Sequence, residues 1–331
     1  GRDQPSVSTV QSIRRSRGYA PFPVRLPFRA RQILAVGPEL KNTFCLTRDD
    51  FAFLSQHIGD MENLVTLEHF GASIELFQHL FRIEPELIAF DLHPGYLSTQ
   101  YAQSRIEKLA SDQRSASAGT GRLYGVQHHQ AHIASCLVDN GWDLSSGPVI
   151  GVAWDGTGYG LDDHIWGGEY FVGDYRGFRR AAHLEYLPMP GGEAAIRNPW
   201  RLALGYFFAL TGQLPALQKP QSTITDQEMH IVRQQVERMM EGRPLNTPLT
   251  SAAGRLFDAV AALAGVRQSV TYEAQAAIEL EMLATRWASG SPAQIQVPAY
   301  PFEIEQGDEG AVIRLRALLE SVAEDVTGGV D

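Results

Sequence analysis

Val149-Ile-Gly-Val-Ala-Trp-Asp-Gly-Thr-Gly-Tyr-Gly160 decides the fold when it is set beside Ile33-Leu-Ala-Val-Gly-Pro-Glu39. Each is a hydrophobic strand that runs into an acidic residue, Asp155 or Glu39, and a small polar turn. Short apolar runs bounded by glycine and proline predict buried strands. Downstream of Ile33–Val36 the pattern predicts strands Thr43–Leu46 and Ala52–Ser55 joined by tight turns. A helix over Leu64–Arg82 follows from apolar residues at Leu64, Leu67, Phe70, Ile74, Phe77 and Phe81, and Leu87–Phe90 is then a buried strand. Downstream of strand Val149–Ala153 come a glycine-rich turn Asp155–Gly160, strands His164–Val172 and Ala181–Leu187, and helices Trp200–Leu210, Asp226–Met240 and Ser251–Leu263. The repeat predicts a pseudo-duplicated α/β protein of two lobes with a ligand between them. Residues 1–30, rich in Pro and Arg and without periodicity, read as a boundary.

The 331 residues, 44% hydrophobic and 20% charged, describe a globular chain long enough for two packed lobes. A net charge of -10 argues against a general nucleic-acid surface, although Arg14-Arg15-Ser-Arg17 is a local basic patch. Cys45 and Cys136 are too few for a disulfide framework or a cysteine zinc site, which points to a reducing cytoplasm. No run reaches the roughly twenty apolar residues of a membrane span, and the first residues lack signal-peptide order. The chain begins abruptly, as if cut from something longer.

The chemistry concentrates in a few places. In Val126-Gln-His-His-Gln-Ala-His-Ile-Ala-Ser135 a helix puts His128 and His132 on one face, close enough for both imidazoles to reach one zinc or iron ion. The alternative is two polar histidines on an amphipathic helix; His129 falls on another face. Asp155 can bring a carboxylate beside such a metal, and Gly156-Thr157-Gly158 can turn backbone N–H groups toward a phosphate. Asp-Gly is equally a hairpin signal. Lys41 and Asn42, in the corresponding first turn, offer a cation and an amide to the same phosphates, or else form a solvent-exposed hairpin tip. Arg197 and Arg201 close a loop dense in Pro and Gly and can bind an oxyanion of the substrate, although surface salt bridges explain them equally well. Asp91-Leu-His-Pro-Gly95 leaves a buried strand where α/β proteins place active-site loops, or is a plain strand exit. Gly254 costs helix stability unless something packs closely against it.

Seven runs carry a resemblance: Arg14-Arg-Ser-Arg-Gly-Tyr-Ala-Pro21, Leu40-Lys-Asn-Thr-Phe-Cys45, Phe53-Leu-Ser-Gln-His-Ile-Gly-Asp60, Asp91-Leu-His-Pro-Gly-Tyr-Leu-Ser-Thr99, Val126-Gln-His-His-Gln-Ala-His132, Pro190-Gly-Gly-Glu-Ala-Ala-Ile-Arg197 and Ala253-Gly-Arg-Leu-Phe-Asp258. In collinear order, from about residue 10 to about residue 285, they resemble the hydrogenase-maturation carbamoyltransferases of the HypF family. The resemblance implies a duplicated fold like that of actin and sugar kinases (RNase H-like), related to the tRNA threonylcarbamoyl-adenosine modification proteins. It divides the chain into the tail of a YrdC-like module and linker at 1–20, a first lobe with the histidine motif at 21–148, and a second lobe at 149–331.

The activity implied is transfer of a carbamoyl group from carbamoyl-adenylate to the C-terminal cysteine of the partner protein HypE. Carbamoyl-adenylate is made from carbamoyl phosphate and ATP, with Mg, by the YrdC-like part. Carried over by position, His128, His132 and Asp155 hold zinc or iron. Lys41, Asn42, Gly156, Thr157 and Gly158 match the phosphate side, and Gly254 and Asp258 face the ribose. No general base is assigned; a thiolate of depressed pKa needs none. The family's Gly-Gly-Val-Phe loop and Asp-Gly-Gly metal segment do not occur before Asp331, so the second lobe is expected to be incomplete and the chain alone unable to finish the transfer. Glu273-Ala274 stands where many relatives have Glu-Gly. The alternatives are an O-carbamoyltransferase of secondary metabolism, an inactive HypE-binding fragment and a plain ATPase of the actin and sugar-kinase class. The runs Arg14–Pro21 and Phe53–Asp60 favour the hydrogenase-maturation branch.

Overall fold

The structure, a computed structural model, describes residues 22–111, 122–215, 224–290 and 299–329. The basic patch at Arg14–Arg17 and the segment 1–20 lie outside the described residues. The chain divides into two units, Gly1–Ser146 and Gly147–Asp331, each with its own sheet.

The first unit runs β1 (Val24–Ala30), β2 (Ile33–Ala35), β3 (Cys45–Leu54), α1 (Leu64–Phe81), β4 (Leu87–Asp91), α2 (Leu97–Ser111), β5 (Arg122–Val126) and α3 (His128–Asp139), with strand order β1-β3-β2-β4-β5. Two expectations need correction here. The proline-bearing stretch before Ile33 contains β1, an edge strand, and Pro27 falls where its register against β3 shifts, between Arg25 and Ala30. Strands expected at Thr43–Leu46 and Ala52–Ser55 are one strand, β3: Asp49, at a left-handed φ of 56°, stays paired with Ala30 instead of starting a turn, and the register shift falls in β1, where residues 26–29 oppose Asp50 alone. The charges that mimic a turn face outward, with Asp49 and Asp50 paired to Arg29 and Arg25 across the ladder. Helix α1 closes the core: Phe70 and Phe77 meet Phe44 edge to face at 5.8 and 5.1 Å, over Leu34, Leu46, Ile74 and Ile88. Asn63 caps its start by accepting from the Thr66 N–H.

Strands β2, β4 and β5 are parallel, and Asp91 pairs in register with Val126, so β4 and β5 end side by side. Gln127 follows at once as the N-cap of α3, its side chain accepting from the N–H groups of His129 and Gln130.

The second unit runs β6 (Val149–Tyr159), β7 (Ile165–Asp174), β8 (Gly177–Leu184), β9 (Leu187–Pro188), α4 (Glu193–Arg197), α5 (Pro199–Thr211), α6 (Asp226–Met240), β10 (Leu249–Thr250), α7 (Ala253–Leu263), α8 (Gln275–Gly290), β11 (Glu303–Gly307), β12 (Gly310–Arg314) and α9 (Arg316–Gly328). Strands β6, β7 and β8 form an antiparallel meander, and β12 joins β8 in parallel. Leu202, Ala203 and Tyr206 of α5 pack on Ala259, Ala262 and Leu263 of α7 and Leu319 of α9. Val232 and Val236 of α6 cover Trp200 and Leu204, and a Thr225/Glu228 capping box fixes where α6 starts. The strand expected at Ala181–Leu187 is two pieces, β8 and β9.

The glycine-rich turn expected at Asp155–Gly160 is the larger correction. β6 continues through it, and between the pairs Trp154–Gly168 and Gly158–Trp166 the residues Asp155, Gly156 and Thr157 oppose Gly167 alone. That is a bulge inside a strand, and the hairpin reverses later, between Tyr159 and Ile165.

Candidate functional site

In the first unit the structure brings His128 and His132 together. One helical turn apart in α3, they face each other with their Nε2 atoms 3.0 Å apart. The Nδ1 of His128 lies 2.7 Å from Oδ2 of Asp91, whose side chain is 8% exposed. Asp91 ends β4 in register with Val126, so the sheet itself sets the reach from carboxylate to imidazole. Its Oδ1 accepts from the His93 N–H at 2.9 Å, and its carbonyl accepts from the Thr99 hydroxyl at 2.8 Å. Two imidazole nitrogens aimed at one point, with a carboxylate behind one ring, are a donor set suited to zinc or iron. Residues 91–95 were visible as a strand exit, but no spacing rule pairs Asp91 with a histidine 37 positions away.

Asn42 is held differently from either expectation, while Lys41 stays exposed. Asn42 is fully buried, and its amide nitrogen donates to the carbonyls of Val36 and Pro38 at 2.9 and 2.5 Å. It bridges to Gly59, while the Lys41 N–H donates to Asp60 Oδ1 at 2.7 Å. Asn42 therefore shapes the loop and Lys41 is its exposed cation.

In the second unit Asp155, Gly156, Gly254, Arg255 and Asp258 are neighbours. A Cβ on Gly254 would lie 2.9 Å from the Gly156 Cα and 3.3 Å from the Asp155 carbonyl oxygen, so α7 approaches the bulge as closely as glycine allows. A Cβ on Gly167 would lie 2.7 Å from the same Asp155 oxygen. The bulge is thus confined by glycine on the helix side and on the strand side. Behind it, the fully buried Glu169 accepts from the Gly167 and Gly168 N–H groups at 3.2 and 3.3 Å, from the Ser251 hydroxyl and from Arg180 Nε at 2.6 Å. The Arg180 guanidinium stacks 4.0 Å above the Trp166 ring. Ser251, expected at the start of a helix, instead precedes α7 and serves this network.

Asp258 and Arg255, one turn apart on α7, are buried and paired at 2.8 Å. Burial pushes the Asp258 carboxyl up to about 6, with Arg255 acting in the opposite direction. Both line a cavity of about 280 Å³ together with Arg197, Tyr272, Glu273 and Ala274. Ala274 has φ 60°, the left-handed conformation that glycine takes without strain. Arg255 carries no sequence expectation, although its spacing of three from Asp258 in a helix is readable. The two loop arginines separate. Arg197 lines this cavity and pairs loosely with Glu193 at 3.6 Å, whereas Arg201 donates to the Pro190 carbonyl at 2.9 Å and to Gln235 at 3.0 Å, bracing its loop.

Comparison with known proteins follows the same division. Residues 29–139 match the family model described as the HypF Kae1-like domain, and residues 151–331 match the one described as the second subdomain of the carbamoyltransferase Kae1-like domain. The chain is 42% identical over 284 residues to the carbamoyltransferase HypF2 of Cupriavidus necator, covering 84% of this chain and 32% of that protein. To the carbamoyltransferase HypF of Rhizobium leguminosarum bv. viciae it is 40% identical over 274 residues, covering 82% and 32%. A crystal structure of full-length HypF in a phosphate- and nucleotide-bound form superposes with a TM-score of 0.77 at 40% identity, covering 96% of this chain and 45% of that one. The chain spans about a third of the length of these curated relatives. Among the described residues no helix is long and apolar enough to cross a membrane.

Proposed function

Because the chain belongs to the HypF carbamoyltransferase family, we propose that it forms the part of such an enzyme that passes a carbamoyl group from carbamoyl-adenylate to the C-terminal cysteine of HypE. The observation that carries this reading is the pair of facing Nε2 atoms on His128 and His132, 3.0 Å apart, in a family of group-transfer enzymes. The two histidines hold a zinc or iron ion, and the resemblance adds Asp155 as its carboxylate. When bound, that ion supplies Lewis-acid polarisation and partial neutralisation of negative charge on the reacting group.

This chain's residues then bind and orient. Asp258 accepts from the ribose hydroxyls, beside the close approach of Gly254. Lys41 and the backbone N–H groups of Thr157 and Gly158 take the phosphate, the Gly156 N–H being held by Asp155 Oδ1 at 2.6 Å, while Asn42 keeps the Lys41 loop in shape. Arg197 offers a guanidinium to an oxyanion of the substrate, and Arg201 keeps that loop in place. The thiolate sulfur of HypE forms a bond to the carbamoyl carbon, the carbon–oxygen bond to the adenylate phosphate breaks, and AMP leaves with the electron pair.

The test is mass spectrometry of HypE after incubation with carbamoyl phosphate, Mg-ATP and the full-length polypeptide that carries this chain. We expect a carbamoyl adduct on the C-terminal cysteine, and its loss when His128→Ala and His132→Ala are combined. An unmodified HypE with the wild-type polypeptide, or full modification by the double variant, overturns the reading.

A further inference from the structure

We infer that Asp91 is a positioning residue: its buried carboxylate fixes which nitrogen of His128 carries the proton and so leaves the nitrogen that faces His132 unprotonated. The inference rests on the metal reading above and concerns a residue to which neither sequence spacing nor that reading gave a role. A carboxylate only accepts hydrogen bonds, so the 2.7 Å contact from Asp91 Oδ2 requires a proton on His128 Nδ1. A neutral imidazole protonated there has its lone pair on Nε2, the atom that lies 3.0 Å from His132 Nε2. Neutral histidine in water prefers the opposite tautomer, with the proton on Nε2, which leaves no lone pair for a metal at that atom. Asp91 therefore selects the minority tautomer before any ligand arrives.

The carboxylate can do this because it is itself held from three sides. Its Oδ1 accepts from the His93 N–H, the carbonyl of the same residue accepts from Thr99, and its Cα is locked in register with Val126. The ring it orients starts α3 directly after the Gln127 cap, so neither partner can swing without breaking a strand end or a helix start. A carboxylate behind a ligating imidazole also raises the basicity of the ring.

Two measurements on the full-length polypeptide test this, with Asp91→Ala and the near-isosteric Asp91→Asn, whose side-chain oxygen still accepts from Nδ1. The first is the long-range proton–nitrogen NMR spectrum of metal-free protein labelled with nitrogen-15 histidine, the His128 signals being identified by their loss in His128→Gln. We expect the Nδ1–H tautomer in the wild type and in Asp91→Asn, and the Nε2–H tautomer in Asp91→Ala. The second is zinc affinity by chelator competition, where Asp91→Ala should bind about 10–100-fold more weakly than the wild type, and Asp91→Asn should recover part of the loss. A wild-type His128 in the Nε2–H form, or a tautomer or zinc affinity unchanged in Asp91→Ala, overturns the positioning role alone. A wild-type protein that binds no zinc overturns the metal reading and the positioning role with it. If Asp91→Ala does not fold, Asp91→Asn decides: loss of the Nδ1–H tautomer despite a retained acceptor overturns the inference.

Discussion

The two strand openings share a sequence pattern but not a structure. In the first unit β2 stops at Ala35, Gly37 turns the chain at φ 72°, and the buried Asn42 amide ties down the carbonyls of Val36 and Pro38. The acidic residue of that opening, Glu39, turns away to accept from the Leu97 N–H at the start of α2, and burial raises its pKa. In the second unit β6 runs on to Tyr159, and its acidic residue, Asp155, stays in the strand as the first residue of a bulge. The partner strand makes the difference. β7 offers Gly167 opposite the bulge and Glu169 behind it, whereas β2 ends before its loop and leaves it to be tied to Gly59, Asp60 and Met61.

Removing the support behind the bulge should have the largest effect. Glu169→Ala leaves Arg180 largely buried without its main carboxylate and frees the Gly167 and Gly168 N–H groups, a loss of about 3–5 kcal/mol for a broken buried pair. Urea denaturation should show a large fall in the midpoint; an unchanged midpoint would mean that the network does not hold the second opening.

The next effect is a pH dependence that Asp258 gives to the second unit. The folded pKa of Asp258 is raised to about 6, above the ordinary carboxylate value of about 3.9 in an unfolded chain. The folded state binds that proton more tightly, so the contribution is fully present below about pH 4 and is lost as pH rises through about 6, with a slope of at most about 1.4 kcal/mol per pH unit. Asp258→Asn should flatten stability against pH across this window, and an unchanged slope would separate Asp258 from the trend.

The smallest effect sharpens the comparison most. Gly254→Ala should cost about 1–3 kcal/mol, because its methyl meets the Gly156 backbone at 2.9 Å. Gly156→Ala should cost less, since its methyl meets Arg255 at an ordinary 3.6 Å. Thermal unfolding that ranks the two the other way would place the tight contact elsewhere.

These contrasts also explain what could be read from the chain alone. Helices α1, α5 and α6 and the facing histidines were legible, because the 3.6-residue period and the i, i+4 spacing are local, whereas α2, β5, α8, β11, β12 and α9 had no reading in the sequence. The strand at Val24–Ala30 was not, because Pro27 is acceptable only at an edge, and edge position is a tertiary fact. Arg48-Asp-Asp50 looked like a turn because the charges that pair with it sit 20 and 25 residues upstream. Asp155-Gly-Thr-Gly158 looked like a turn for the same reason: the glycine that accommodates it as a bulge belongs to another strand. Arg201 and Arg197 were indistinguishable in sequence, and only the Pro190 carbonyl and Gln235 separate the brace from the cavity-lining side chain.

The start of α3 carries one more consequence. His128 is the first residue of that helix, where the first-turn N–H groups give the backbone a partial positive charge that favours anions and disfavours cations. A cation held there works against the helix dipole. Gln127, by taking up the N–H groups of His129 and Gln130, mutes part of that charge, and the carboxylate of Asp91 supplies the opposite sign. Neutral imidazoles alone would leave a cation at such a site uncompensated, so any affinity there for a divalent ion would have to come from the acids around it.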